Sequence, residues 1–315
     1  MPSERLTSLQ KNGFVVIPSL LPASSLNSLK TASSKSTTAA RTGSWPFFRT
    51  VPKQFPPWPK DVPPPASEGG IWGVQHLLHP DMPGREEFAG FYFNERVLSV
   101  VEELLGVEHK EGEDAEDEKL VMELFNLLVA PEKIDFELRW HRDDIPWTAT
   151  AEDEINLLES KSPGGRQSHA QYNFALCEDS SLIVIPGSHR RVRTEVERNA
   201  DPYESYLPGQ LVVELKPGDA VFYDSNILHR GVYKAKPENG EESRLTLHGS
   251  VGLKGIDGSN SEDKKVRATA VLQHGVGAWV QRPDAAFEIG GRAEKMRANL
   301  VGMGSGEGVG FSLQG

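Results

Sequence analysis

Apolar positions along the chain fall into two regimes. Over residues 3–12 they recur at helical spacing, with Ser3 placed to cap the first turn and Gly13 to stop the last. "FVVIP" then predicts a strand and residues 23–30 a second helix, so the chain opens helix, strand, helix. From residue 31 to about 70 the sequence turns to Ser, Thr and Pro. The stretch "WPFFRTVPKQFPPWPKDVPPP" predicts irregular chain that wraps the domain, because Trp45, Phe47, Phe48, Phe55 and Trp58 need cover. "REEFAGFYFNERVLSVVEELLGV" returns to helical spacing, and Gly106 stops it.

The second regime is different. "LVMELFNLLVAP", "FELRWH", "AQYNFALC", "SLIVIPGS", "GQLVVELKPGD", "AVFYD" and "RLTLHGSVG" are short, apolar or alternating, and punctuated by Gly, Pro, Asp and Ser. Short strands without intervening helices predict an antiparallel sandwich or jelly roll. The closing "GRAEKMRANLVGMGSGEGVGF" predicts a helix and a Gly-rich tail; no helix follows those glycines, so they do not make a phosphate loop.

One strand carries candidate chemistry. In "FELRWHRDDIPW", Phe136, Leu138 and Trp140 alternate with Glu137, Arg139, His141 and Asp143, up to Pro146. Side chains two apart on a strand project to the same side, so His141 and Asp143 can grip one object. An imidazole and a carboxylate are two of the three ligands of a facial triad, which leaves three metal positions open and suits non-haem Fe(II). The best source of the second imidazole is His229, in "GDAVFYDSNILHRGVY", where a Gly218–Asp219 turn leads into "AVFYD" and a short loop delivers the histidine. Asp144 is the rival carboxylate, but strand parity points it the other way. The bland alternative is a surface His beside an exposed Asp.

Arg244, in "EESRLTLHGSV", begins the strand expected to pair nearby. An iron site that activates O2 needs two electrons, and 2-oxoglutarate supplies them by decarboxylation. Its distal carboxylate then needs a planar, permanently charged fork, which Arg provides. The alternative is an edge-strand Arg paired with Glu241 or Glu242.

Composition narrows the field. The 315 residues are 37% hydrophobic and 25% charged with a net charge of −11, which argues against a phosphate-backbone partner, so no nucleic acid is expected. "KEGEDAEDEK" reads as a solvated loop. The single cysteine, Cys177, excludes an internal disulfide and a cysteine zinc cluster. The N-terminus lacks the apolar run of a secretory signal, no stretch has the length of a membrane span, and "SLQG" is no peroxisomal address, so a cytoplasmic protein is expected.

Taken in order, "HRD", "SLIVIPGSHRR", "PGDAVFYDSNILHRG" and a following Arg resemble the phytanoyl-CoA dioxygenase family of Fe(II)- and 2-oxoglutarate-dependent oxygenases, as does the opening "LQKNGFVVIPSLLPASSLNSLK". The likeness covers most of residues 5–252. It implies a mostly β fold with added helices: a double-stranded β-helix (jelly-roll, cupin-like) core under an N-terminal helical layer. It also implies His141, Asp143 and His229 on iron, Arg244 on 2-oxoglutarate and O2 as oxidant. The insertion "KAKPENGEES" lengthens the gap between His229 and Arg244 relative to many members. The family's aromatic residue beside the cosubstrate falls here on Tyr172 or Asn173, and Asn126 is a further cosubstrate candidate. Asp143 disfavours halogenation, since halogenating members lack that carboxylate.

A single oxygenase domain is expected over residues 1–290. It comprises an N-terminal helix-strand-helix and Pro-rich cover (1–118) and a jelly-roll core (about 119–280), and residues 291–315 form the C-terminal helix and tail. Trp72, Gln75, His76 and His79 lie where the family layout covers the barrel mouth, which makes Trp72 and Gln75 substrate candidates. His189, in a Pro-Gly-Ser turn, and His248 are expected to be structural. The expected partner is a small natural product or lipid-like substrate, with no basic cluster awaiting the phosphates of a CoA ester. Two readings from other classes stand beside this one: a non-enzymatic jelly-roll ligand-binding module, and a zinc-dependent hydrolase on the same three ligands.

Overall fold

A computed structural model describes residues 2–51, 62–107, 118–161, 167–236, 243–254 and 261–304. The acidic run, Phe55, Trp58, Glu241, Glu242 and the Gly-rich tail lie outside these residues, wholly or for the most part.

The chain runs α1 (Glu4–Asn12), β1 (Phe14–Ile17), α2 (Leu26–Arg41), β2 (Phe48–Thr50), β3 (Ile71–Val74), α3 (Arg85–Tyr92), α4 (Glu95–Leu105), β4 (Leu120–Val129) and β5 (Phe136–Glu137). It continues α5 (Ala151–Lys161), β6 (His169–Ala175), β7 (Asp179–Val184), α6 (Glu195–Asn199), β8 (Leu211–Leu215), β9 (Ala220–Tyr223), β10 (His229–Tyr233), β11 (Leu245–Leu253), α7 (Ser261–Gln273) and α8 (Gly291–Met303). Two antiparallel sheets result, one ordered β1-β9-β6-β11-β4-β3-β2 and the other β5-β10-β7-β8. These are the two walls of a jelly roll.

The opening follows the sequence closely. Ser3 accepts a hydrogen bond from Leu6 N at the start of α1, and Gly13, at φ +80°, ends it. Three expectations are corrected. The second helix does not stop at residue 30 but runs to Arg41, burying Ala32, Ser33, Ser36, Thr37 and Ala40, so serines and threonines that read as loop form a close-packed helical face. Two of these hydroxyls are absorbed locally: Ser36 and Thr37 donate to carbonyls one turn back. The single helix expected through residue 105 is two, because Asn94 turns extended and caps α4 by accepting from Arg96 N. The strand expected through His141 keeps regular pairing only at Phe136 and Glu137; beyond it Leu138 N still donates to Gly231 O of β10, and His141 forms an isolated bridge with His229.

Alternation in the large sheet separates two environments. Phe125, Tyr172, Phe174, Phe222 and Leu247 face the helices, where Phe91 packs against Phe174 (4.6 Å between ring centres) and Phe125 (5.8 Å). The opposite face looks into the space between the sheets and carries polar side chains. Residues Asn126, His248, Asn173 and Val221 stand in one row across four adjacent strands. A core that needed only packing would not put amide and imidazole groups there.

Candidate active site

His141 and His229 meet through their backbones before their side chains do. His141 N donates to His229 O at 2.9 Å and His229 N to His141 O at 3.0 Å, which fixes the two imidazoles side by side with ring centres 4.3 Å apart. The loop before β10 holds the neighbouring carboxylate in place, since Asp143 N donates to Ser225 O at 2.8 Å. Asp143 Oδ1 lies 3.5 Å from His141 Nε2 and 3.9 Å from His229 Nε2. The three donor atoms lie within 4.8 Å of one another, and this is the one such group of three or more among the described residues. Asp144 points away and accepts from the Ser225 hydroxyl. Asp143, and not Asp144, is thus the carboxylate set beside the two imidazoles, although the regular strand from which that choice was argued is absent.

Hydrogen bonds preset the ligands. His141 Nδ1 lies 2.8 Å from Arg139 O and His229 Nδ1 lies 2.9 Å from Ile227 O. A carbonyl only accepts, so both Nδ1 atoms carry the hydrogen and both Nε2 lone pairs face Asp143. Burial, with His141 beside it, lowers the His229 pKa to about 4, keeping it neutral and able to ligate at neutral pH. Burial alone would raise the Asp143 carboxyl, but His229 and His141 outweigh it and hold Asp143 well below the usual carboxylate range. Both imidazoles are buried, whereas the Asp143 side chain is 32% exposed, so one side of the cluster is open. Two imidazole nitrogens and one carboxylate oxygen facing open space fit a divalent first-row metal with free positions.

Gln171 is a site residue that sequence reasoning missed. On the inner face of β6, Gln171 Nε2 donates to Asp143 Oδ2 at 2.8 Å, so Oδ1 is the oxygen left for a metal. Parity with Asn173 in "HAQYNFA" was the signal available. Tyr223 packs edge-on against His229, 5.4 Å between ring centres.

Arg244 precedes β11. Its Nε donates to Asp179 Oδ2 at 3.0 Å, its guanidinium lies over the Tyr233 ring at 4.4 Å, and its buried Nη1 has no hydrogen-bond partner. That orphaned donor on a cation is what a distal carboxylate would complete. Of the two cosubstrate candidates on β6, Asn173 faces inward, its Oδ1 2.8 Å from His248 Nδ1, whereas Tyr172 points into the aromatic layer under the helices. Asn126 is also inward, and its Oδ1 accepts from His76 N at 3.2 Å. His248 is half-buried within the polar row and bridges it, a larger part than a packed strand residue. Trp72 is fully buried, stacks on Tyr233 at 5.3 Å and donates from Nε1 to Thr50 O. Gln75 is buried with Oε1 unsatisfied. His76 and His79 pack around Phe47, with ring centres 4.9 and 6.0 Å away. His189 sits in the turn after β7 near Gln10 O.

The family model for phytanoyl-CoA dioxygenase (PhyH) matches residues 9–232. The chain belongs to this family. Membership makes it an Fe(II)- and 2-oxoglutarate-dependent oxygenase and sets aside the hydrolase and ligand-module readings. No curated protein matches the chain by sequence. Among solved structures, AviO1 from Streptomyces viridochromogenes Tue57 superposes with a TM-score of 0.52 at 15% identity, covering 81% of this chain and 96% of that one. EctD from S. alaskensis, in a structure with 2-oxoglutarate and 5-hydroxyectoine, gives 0.52 at 18% identity, covering 81% and 77%. HygX from Streptomyces hygroscopicus, with nickel and 2-oxoglutarate bound, gives 0.52 at 16%, covering 81% and 88%. At these identities the likeness establishes the fold.

Proposed function

We propose that His141, Asp143 and His229 hold Fe(II), that Arg244 anchors the distal carboxylate of 2-oxoglutarate, and that the enzyme hydroxylates a small organic substrate. The observation that carries this reading is the convergence of three ligand atoms, from the neighbours His141 and Asp143 and the distant His229, within 4.8 Å on an open-sided cluster. Bound iron with 2-oxoglutarate and O2 supplies the oxidising equivalent, with decarboxylation to succinate. The protein's own tasks are separable. His141 and His229 are fixed in tautomer by Arg139 O and Ile227 O, and burial keeps His229 neutral. Gln171 restrains the carboxylate, and the orphaned Nη1 of Arg244 accounts for the cosubstrate's far end. Asn126 and Asn173 offer amide hydrogen bonds along the inner face beside it.

Trp72 and Gln75 are proposed to border the substrate. The unsatisfied Gln75 Oε1 favours a substrate with a hydrogen-bond donor over a purely lipid-like one. The structures of EctD with 5-hydroxyectoine and of HygX with hygromycin B support a small polar molecule in a chamber of this fold. No described helix is long and apolar enough to cross a membrane; a cytoplasmic enzyme is part of this proposal.

The test is succinate formation from 2-oxoglutarate with Fe(II) and ascorbate, combined with untargeted mass spectrometry of cell extract. Products one oxygen heavier than a metabolite, dependent on 2-oxoglutarate, are expected. Wild-type succinate release by both His141→Ala and His229→Ala would remove the ligand assignment.

A further inference from the structure

We propose that Arg49 is a second cation of the cosubstrate pocket, acting with Arg244 on the distal carboxylate of 2-oxoglutarate. This rests on the reading of Arg244 given above, and Arg49 comes from a segment read in sequence only for its prolines and aromatics. β2 sets Arg49 opposite Gly73 of β3, Gly73 opposite Leu128 of β4, and Leu128 opposite Thr246 of β11. Arg49 therefore shares the inner face with the cosubstrate candidates. Gly73 makes the room: a Cβ there would stand 3.3 Å from Arg49 Cδ, so the arginine stem runs inward over the glycine.

The heads of the two arginines border the same aromatic pair. Arg49 Cζ lies 5.2 Å from the Trp72 ring centre, Trp72 stacks on Tyr233 at 5.3 Å, and Arg244 Cζ lies 4.4 Å from the Tyr233 centre. Tyr233 and Asp143 are the first electrostatic neighbours of Arg49. His248, in the middle of the polar row, lies in the field of Arg49, Asp143, Arg244 and His229 alike. One imidazole thus has both guanidiniums and two metal-facing ligands around it. Burial pulls Arg49 down to about 10, which leaves it charged at neutral pH.

Charge balance says why a second cation belongs there. A ferrous dication, the Asp143 carboxylate and the 2-oxoglutarate dianion sum to one negative charge. Arg244 is shared with Asp179 through its 3.0 Å ion pair. Arg49 adds a second positive charge on the same face. Where both guanidiniums are buried, a neighbouring cation stabilises an anion more than at a surface.

The experiment is an anaerobic titration of the Fe(II)-loaded full-length protein with 2-oxoglutarate, followed by the visible charge-transfer absorption of the chelate, for wild type, Arg49→Met and Arg49→Lys. A parallel titration uses pyruvate, which keeps the 2-oxo acid head and lacks the distal carboxylate. Arg49→Met is expected to weaken 2-oxoglutarate by roughly 10- to 100-fold, as for loss of a buried charged hydrogen bond, and to leave pyruvate within about 3-fold of wild type. Circular dichroism reports whether each variant folds. If Arg49→Met does not, Arg49→Lys, which loses the planar fork, is expected to lose part of the preference for 2-oxoglutarate over pyruvate. An unchanged 2-oxoglutarate affinity in a folded Arg49→Met, an unchanged preference in Arg49→Lys as the folded stand-in, or equal weakening of both ligands overturns the assignment. Absence of the absorption band in the wild type would instead overturn the reading of the metal site beneath it.

Discussion

At the scale of single residues, the site is built from side chains whose second hydrogen bonds decide what the first can do. Gln171 is the clearest case, because Asp143 is open on one side and its Oδ2 is tied by a single 2.8 Å amide bond. Gln171→Leu frees the carboxylate to rotate, and an orienting partner of this kind is worth roughly 10- to 100-fold in metal affinity. Isothermal titration with Fe(II) or Ni(II) should show that loss with the fold intact by circular dichroism; unchanged affinity would mean that the contact orients nothing. Legibility at this scale was uneven. His141, Asp143 and His229, which the structure brings within 4.8 Å of one another, could be picked out together because a metal site would restrict residue type and spacing. Gln171 and Arg49 could not, because an amide or a guanidinium on a strand has many uses until its neighbours are known.

At the scale of elements, periodicity predicted best where one physical effect dominated. The α1 cap and stop, the long β4 and the strands on either side of the Gly218–Asp219 turn follow from local chemistry. α2 misled because Ser and Thr can satisfy their hydroxyls on the helix itself, so composition did not mark a loop. Tertiary pairing decided the segment after β5, which exchanges its ladder for the isolated His141–His229 bridge. α5 was not legible at all, since its docking depends on a distant partner. Fully buried Glu154 accepts from Arg193 N at 2.8 Å, from Arg193 Nε and from Arg198 Nη2 at 3.0 Å. Glu154→Gln leaves the buried Arg193 uncompensated and is expected to cost about 3–5 kcal/mol in urea unfolding, with protease cleavage gained around α5. Loss of under about 1 kcal/mol, the worth of a surface pair, would show that the helix is held by other contacts.

At the scale of the whole molecule, the interior holds histidines that burial keeps neutral. His76 and His248 are lowered to about 3, and His169, His189 and His229 to about 4, from an ordinary 6.5. Between pH 6.5 and 4 the unfolded chain therefore takes up protons that the folded one refuses, and stability falls as pH falls through that window. Asp224 opposes this, because burial raises it to about 6, so below that pH the folded state binds a proton that the unfolded state does not. Five groups outweigh one, at about 1.4 kcal/mol per pH unit for each fully differing proton. The metal-free protein should thus show a urea midpoint that drops steeply from pH 7 to pH 5, and a flat profile would contradict the buried neutral imidazoles. The account as a whole stands on one convergence, of His141, Asp143 and His229 on a single metal. Its most direct test is anaerobic equilibrium dialysis of Fe(II) against wild type and His229→Ala: one tightly held iron per wild-type chain and none on the variant is the predicted result, and equal iron on both would contradict it.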